Sequence, residues 1–373
     1  MGSSHEGSEE AKARMLRAMV IGTGWAGEGY VAALRSSGVR VVALCGRSPE
    51  PAYALGARLG IEDVRTDWRV AIDQLAPDIV VVATPAGPHC EIVEYAAARG
   101  AHLICEKPLG RSADEARRMV AAVERAGVKH AYGATTRYAP GLSQARSLVA
   151  DGAIGEVREV EVVSHFGMSP LQPYCWIHSL EQGGGVLGNV YTHFLAQAQY
   201  VTAGIPQWAS GHTDLVVTRV PAGPAVHDFR TWEPLDATEA AAGEWRDNDA
   251  ELAATVITEL DLAGGGKVSA LFRASAFTSA RADGYFAIYG TTGTLHFDGY
   301  PWFHRLQHLT TASGRWTEIA IPAVDDPIQW GWKRLAADLV ADIAGSGGEG
   351  YPTFRDGYVA NRLIDQVRAA AAR

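Results

Sequence analysis

At 373 residues the chain exceeds what one hydrophobic core supports, so two domains are expected. Its 47% hydrophobic and 20% charged residues suit packed cores, and no apolar run nears the roughly eighteen residues of a membrane helix, so no membrane partner is expected. A formal net charge of -9 argues against a nucleic-acid partner, because that affinity rests largely on Lys and Arg neutralising phosphates.

Residues 1–14 are rich in Gly, Ser and Glu, lack the apolar stretch of an export signal, and read as a disordered lead-in; a cytoplasmic location is the matching expectation. From Leu16 short apolar runs alternate with helical stretches, the pattern of a parallel sheet with crossover helices. Strand Ala18–Ile21 meets the turn Gly22-Thr23-Gly24-Trp25-Ala26-Gly27, a helix follows to about Ser37, and Val39–Cys45 is the next strand. Helices are predicted over Pro51–Leu59 and Trp68–Leu75. The run Ile79–Ala83 is apolar throughout, as a strand covered on both faces should be. A helix over His89–Arg99, a strand over His102–Cys105 and a helix over Ala113–Ala126 complete a doubly wound domain spanning 15–133.

Longer strand-like segments then dominate a second domain, 134–373: Val157–Phe166, Asp214–Val220, Ala253–Leu262, Lys267–Ala274, Tyr285–Tyr289 and Thr294–Phe297. Gly264-Gly265-Gly266 marks a hairpin, and the sequential strands predict a large, mostly antiparallel sheet in an α/β domain. Helices are predicted over Pro140–Ala150, Asn189–Thr202, Trp332–Ala344 and Phe354–Ala372, with a surface excursion over Pro221–Trp245. Cys45, Cys90, Cys105 and Cys175 show no metal-ligand spacing and read as buried thiols, so no metal site is expected.

Gly22-x-Gly24-x-x-Gly27 lies between a strand and a helix, where backbone N–H groups and a helix N-terminus can approach a pyrophosphate. NAD-binding versions of this unit commonly carry an acid after the second strand for the ribose hydroxyls. Here Cys45-Gly46-Arg47-Ser48 offers instead a guanidinium and a hydroxyl suited to a 2′-phosphate, which predicts NADP(H) over NAD(H). Two more clusters follow later strands, at the edge where open α/β sheets bind ligands: Thr84-Pro85 with His89, and Glu106-Lys107-Pro108. A lysine there can polarise a carbonyl oxygen.

With these motifs, and with Arg137-Tyr138, Gly183-Gly184-Gly185, His193 and Gly290-Thr291-Thr292-Gly293-Thr294, the chain from Met19 onward resembles the Gfo/Idh/MocA oxidoreductases. The resemblance implies a Rossmann domain followed by an α/β domain whose open sheet mediates dimer or tetramer contacts, and places Lys107 at both nicotinamide and substrate. It implies a nucleotide site built from Gly22, Gly24, Trp25, Ala26, Gly27, Arg47, Ser48, Thr84, Pro85, His89, Glu106, Lys107 and Arg137. Family dehydrogenases commonly show Asp and His four residues apart after the triple glycine; this chain has Asn189 and His193, with Tyr191 between them. His193 matches the proton-transfer position, while Asn189 can hydrogen-bond but not ionise. Lys107, His193, Tyr191 and Asn189 are therefore the expected catalytic group. His165, Tyr174 and Trp176, with His178 beside them, are expected to wall the substrate pocket, since aromatic faces stack on sugar C–H surfaces.

The expected function is hydride transfer between NADP(H) and a secondary alcohol or ketone of a sugar, cyclitol or related metabolite, in a homodimer or homotetramer. The missing acid keeps other outcomes open: reduction of an imine or conjugated double bond, a net redox-neutral reaction that recycles the cofactor, or non-catalytic NADP sensing.

Overall fold

Apolar runs that are covered on both faces need helices above and below them, and the first part of the chain supplies this arrangement. The computed structural model describes residues 14–224, 226, 233–276, 283–299, 303–347 and 350–372; all but the last residue of the expected lead-in lies outside them. Strands β1 (Arg17–Ile21), β2 (Arg40–Cys45), β3 (Val64–Arg65), β4 (Ile79–Val82), β5 (His102–Cys105) and β6 (His130–Tyr132) alternate with α1 (Trp25–Ser36), α2 (Pro49–Leu59), α3 (Trp68–Leu75), α4 (His89–Ala97) and α5 (Ala113–Ala126). They form an all-parallel sheet ordered β3-β2-β1-β4-β5-β6. The order reverses between β1 and β4, which opens a crevice at their C-terminal ends. β3 and β6, of two and three residues, are too short to show a period and were not expected from the sequence.

The second layer system holds α6 (Leu142–Ala150), β7 (Val157–His165), α7 (Thr192–Thr202), β8 (Ile205–Asp214), β9 (Arg219–Pro221), α8 (Ala237–Ala242), β10 (Trp245–Asp247), β11 (Ala253–Asp261), β12 (Lys267–Ser275), β13 (Asp283–Gly290), β14 (Gly293–Asp298), β15 (Arg305–Thr310) and β16 (Arg315–Ile319). Eight of these strands form one sheet, ordered β16-β15-β14-β13-β7-β12-β11-β8, antiparallel except where β7 meets β12. Alternate residues such as Val160, Val162, Phe272 and Phe286 turn to one face, where they pack on α6, α7 and α10 (Phe354–Ala371).

The strand expected over Asp214–Val220 does not form. The chain pairs earlier, as β8, and Val216 sits at φ 63 in the turn beyond it. β8 is an edge strand in which only Pro206 and Ala209 are buried, so it carries no apolar alternation to read. Tertiary partners hold it: the Ala209 N–H donates to Gln366 Oε1 at 2.9 Å and Arg362 donates to Pro206 O at 3.2 Å. β15 and β16 likewise carry no apolar alternation: Leu306 is the one buried residue of β15, and β16 is almost wholly exposed. The excursion over Pro221–Trp245 leaves and returns through the β9–β10 pair and carries α8; residues 225 and 227–232 lie outside the described part.

Helix α9 (Pro327–Ile343) comes late in the chain yet docks on the Rossmann layer, where Trp332, Leu335, Ala336 and Leu339 join Ala18, Val20, Tyr30 and Leu34 in one core. Trp332 is 5% exposed and meets Trp25 edge-on at 5.4 Å between ring centroids. Gly29 makes room for it, since a Cβ there would lie 2.0 Å from the indole. Trp332→Ala should therefore cost about 3–5 kcal/mol, the usual range for deleting a buried aromatic ring. Urea unfolding measures this, and a loss below about 1 kcal/mol would show that the ring is not the anchor of α9.

Candidate active site

The crevice begins at the glycine turn. Gly22 sits at φ 119, and a Cβ there would lie 2.3 Å from Ala83 O; one on Gly27 would lie 2.0 Å from Gly22 O. Only hydrogen fits at either position, so α1 starts hard against the exits of β1 and β4. Gly24 is the N-cap and offers no side chain, which leaves the N-terminal N–H groups of α1 to a ligand. Trp25 and Ala26, in the first turn of α1, are half-buried. Thr84 Oγ1, just past β4, is buried without a hydrogen-bond partner, and Pro85 beside it is exposed. These groups fit a dinucleotide. Arg47 stands exposed after β2, and Ser48 occupies the N-cap of α2 without a side-chain capping bond.

His89 is a correction. It is 0% exposed, its Nε2 lies 2.8 Å from Thr84 O, and its Nδ1 lies 3.2 and 3.1 Å from Pro108 O and Leu109 O. Burial lowers its pKa, with the facing carbonyls opposing, and with both ring edges turned to backbone between two loops the ring presents no surface to a ligand. Arg137 is held elsewhere in this structure: its Nη2 donates to Gly350 O at 2.8 Å and its guanidinium lies 4.7 Å from the Tyr200 ring centroid. Neither contact involves the glycine turn or the strand ends.

Lys107 follows β5 and precedes a cis peptide bond to Pro108. Beside it the 8%-exposed Glu106 carboxylate accepts from Tyr30 Oη at 2.8 Å, from Trp332 Nε1 at 3.4 Å and from the Lys107 N–H at 3.2 Å. Neither Tyr30 nor Trp332 was found by sequence reasoning, and no local pattern could reveal partners 76 and 226 residues from Glu106.

Lys107 Nζ donates to Asn189 Oδ1 at 2.6 Å and to Asn189 O at 3.1 Å. Asn189 lies in a wide π turn, Leu187–Tyr191, that leads into α7, and His193 comes one turn later. Burial lowers the pKa of Lys107, with Glu106 opposing it. Burial, then the Lys107 charge, holds His193 well below the ordinary histidine range, and its Nδ1 is buried without a partner. A lysine and a neutral histidine thus share a pocket in which Asn189 stands where a carboxylate would have favoured the protonated form of both.

Tyr191 does not join this group. It is 2% exposed, packs edge-on against Phe272 at 5.3 Å and belongs to the core beneath the large sheet, because positions 189 and 193 share a helical face that 191 does not. His165 is likewise displaced. On β7 the buried residues Val160, Val162 and Ser164 alternate with Glu161, Val163 and His165, so His165 turns to the sheet face opposite α7. Tyr174 packs on His178 at 5.8 Å and under the Arg246 guanidinium at 5.2 Å, and Trp176 opens the short 3-10 turn Trp176–His178. His178 is 0% exposed; burial pushes its pKa down to about 4, and its Nε2 has no partner.

The triple glycine brings these halves together. Gly183 is at φ 77, with its Cβ position 2.4 Å from Ala86 Cβ, and a Cβ on Gly188 would lie 3.2 Å from Pro108 Cγ. The Ala86 N–H donates to Gln182 O at 3.0 Å, which ties the β4 exit loop to the segment that delivers Asn189.

Residues 16–134 match the model of the oxidoreductase family with an NAD-binding Rossmann fold, and residues 142–296 match the GFO/IDH/MocA C-terminal domain. Levoglucosan dehydrogenase of Pseudarthrobacter phenanthrenivorans is 29% identical over 362 residues, covering 87% of this chain and 86% of that protein. The 2,7-anhydro-N-acetylneuraminate hydratase of Mediterraneibacter gnavus is 30% identical over 190 residues, 50% of either chain. A solved levoglucosan dehydrogenase in complex with NADH has the same fold, with a TM-score of 0.81 at 24% identity, covering 96% of this chain and 97% of that one. With both of its domains matched in order, and a site assembled from the strand ends of the first and the leading turn of α7 in the second, the chain belongs to the GFO/IDH/MocA family of NAD(P)-binding oxidoreductases.

Proposed function

We propose that the protein transfers hydride between NADP(H) and a secondary alcohol or ketone of a sugar, cyclitol or related small metabolite. The observation that carries this reading is the contact of Lys107 Nζ with Asn189 Oδ1 at 2.6 Å, with His193 one turn further on. The names of the relatives, among them dehydrogenases of levoglucosan, inositol and D-glucosides, support the substrate class.

A bound nicotinamide supplies the hydride donor or acceptor. The protein supplies orientation and proton transfer. The Lys107 ammonium donates a hydrogen bond to the reacting oxygen and favours the charge that develops there. Asn189 holds that ammonium through Oδ1 and keeps its amide N–H groups for a neighbouring hydroxyl. His193, neutral because burial and the lysine charge disfavour its protonation, takes the hydroxyl proton in oxidation and returns it in reduction.

Asn189 and the hydratase relative favour one second reading, a reaction in which the cofactor is reoxidised within each turnover. A panel of sugars followed by both product chromatography and cofactor absorbance separates the two. Product without net absorbance change would select the second.

Lys107→Ala should lower kcat by about 10²–10⁴-fold, the range for a general acid–base or polarising group, with dinucleotide affinity nearly unchanged. Asn189→Asp places a carboxylate against both cations and raises both pKa values. A raised pKa leaves His193 protonated to higher pH, so the acid limb of kcat/KM for oxidation moves upward, by about one unit or more. A limb that stays in place would remove His193 from the proton path.

The cofactor preference rests on Arg47 and Ser48 with no acid after β2. Arg47→Ala should raise KM for NADPH about tenfold or more, as loss of a charge-assisted bond does, and leave KM for NADH alone. A starting preference for NADH would overturn this assignment.

Self-association as a homodimer or homotetramer would use the helix-free face of the large sheet, where Trp208, Ile257 and Trp316 are 44%, 48% and 47% exposed. Sedimentation should find a dimer or tetramer that Ile257→Arg together with Trp316→Arg drives to monomers. A parent protein still monomeric at about 50 micromolar would end this reading.

A further inference from the structure

The segment that delivers Asn189 is held from behind by an ion pair between a buried Glu251 and a partly exposed Arg368, two residues outside the family motifs. Arg368, in the last turn of α10, donates from Nη2 to Glu251 Oε1 at 2.9 Å and from Nε to Glu251 Oε2 at 3.2 Å, a two-pronged contact. The same Nη2 donates to Gly184 O at 3.1 Å. Glu251, 5% exposed, accepts from the Leu187 N–H through Oε1 at 3.2 Å, and its backbone O accepts from the Val186 N–H at 2.7 Å. Gly185 lies so close that a Cβ on it would sit 2.2 Å from Glu251 Oε1.

Leu187 is the first residue of the π turn. The carboxylate therefore grips the chain where the wide turn starts, and the guanidinium grips it three residues earlier. In an ordinary α turn each carbonyl meets an N–H four residues on; a wide turn re-aims carbonyls, and here Asn189 O reaches Lys107 Nζ. Ion pairs contribute weakly to stability when exposed, and also when buried if compared with apolar replacements of the same shape, so fold stability alone is a poor account of this partly buried one.

We propose that Glu251 and Arg368 are positioning residues for the reaction site: together they set the π turn so that both oxygens of Asn189 face the Lys107 ammonium. The proposal rests on the reading of Lys107 and Asn189 as that site. Neither residue of the pair reaches the substrate in this scheme; each acts through the turn.

The test reads Lys107 directly, without a substrate. Acetic anhydride labelling is followed by peptide mass spectrometry as a function of pH, with the exposed Lys129 and Lys267 as internal references. Oxygen acceptors favour the charged amine, so withdrawing them lets Lys107 lose its proton at lower pH and react faster. In Arg368→Lys and Glu251→Gln, the Lys107 rate near neutral pH should rise about tenfold relative to the references, equivalent to about one pKa unit. The double variant E251Q/R368Q, a neutral hydrogen-bonded pair, should return it towards the parent value. Should Glu251→Gln fail to fold, Arg368→Lys, which keeps the charge but not the fork, carries the comparison. Lower thermal stability with a Lys107 rate within twofold of the parent would overturn the proposal and leave the pair a fold element only. A parent protein that turns over no sugar, yet shows the labelling shift in the variants, would dismiss the hydride-transfer reading and leave the positioning role standing.

Discussion

The close approach of the triple-glycine loop to the strand ends of the Rossmann sheet is the constraint on which the rest depends. Lys107 and Asn189 lie 82 residues apart, in different sheet systems, yet their side chains meet at 2.6 Å. That distance exists because Gly183 can lie against Ala86 and Gly188 against Pro108 with no side chain between. On the Rossmann side His89 brackets the two exit loops, spanning Thr84 O and the Pro108 and Leu109 carbonyls, and so fixes the surface that the glycines approach. A methyl group at Gly183 would have to displace Ala86, and the displacement would pass straight to the amide that holds the lysine.

Electrostatics follow from this packing. The pocket collects a lysine and a histidine and gives them amide and carbonyl oxygens in place of a carboxylate, while the one buried acid nearby, Glu106, is occupied by Tyr30, Trp332 and the Lys107 N–H. Burial pushes the Lys107 pKa down against the opposing Glu106 charge, and burial together with the Lys107 charge pushes that of His193 down further. The consequence is a histidine that is neutral at physiological pH and a lysine whose proton is held less firmly than in water, the pairing that the proposed exchange of one proton with a hydroxyl needs. A carboxylate at position 189 would bind both cations more tightly and move the working range to higher pH.

Much of the Rossmann half was legible, because its strands are apolar runs and its turns carry glycines whose role is steric: Gly22 and Gly27 can be read from spacing alone, and the structure shows the backbone oxygens they avoid. The second half was legible only where one face is buried. β7, β11, β12 and β13 alternate and were found; β8 and β16 at the two sheet edges, and β15 next to one of them, carry few buried side chains and were missed or shifted. At the site, Lys107, Asn189 and His193 converge, but Tyr191 and His165 fall on wrong faces for reasons of helix and strand period, and those periods were available in the sequence. A resemblance names positions; it does not aim side chains. Tyr30, Trp332, Glu251 and Arg368 left no signal because their partners are distant in sequence and each is unremarkable in its own segment.

Two of these residues, Trp332 and Arg368, show how the end of the chain serves its beginning. The residues proposed for the reaction site end at His193, yet Trp332 of α9 lies beneath Glu106 on one side of the crevice and Arg368 of α10 lies behind Gly184 on the other. Each of these helices returns across the boundary between the sheets: α9 packs on α1 and the parallel sheet, and α10 places Phe354 in the Rossmann core and Ile364 and Val367 beneath the large sheet. Domains joined only by their sequential linker would be free to hinge, and a 2.6 Å contact between them would not persist. With α10 packed in both cores, the two halves are held as one scaffold, so the crevice is set by side chains that never enter it.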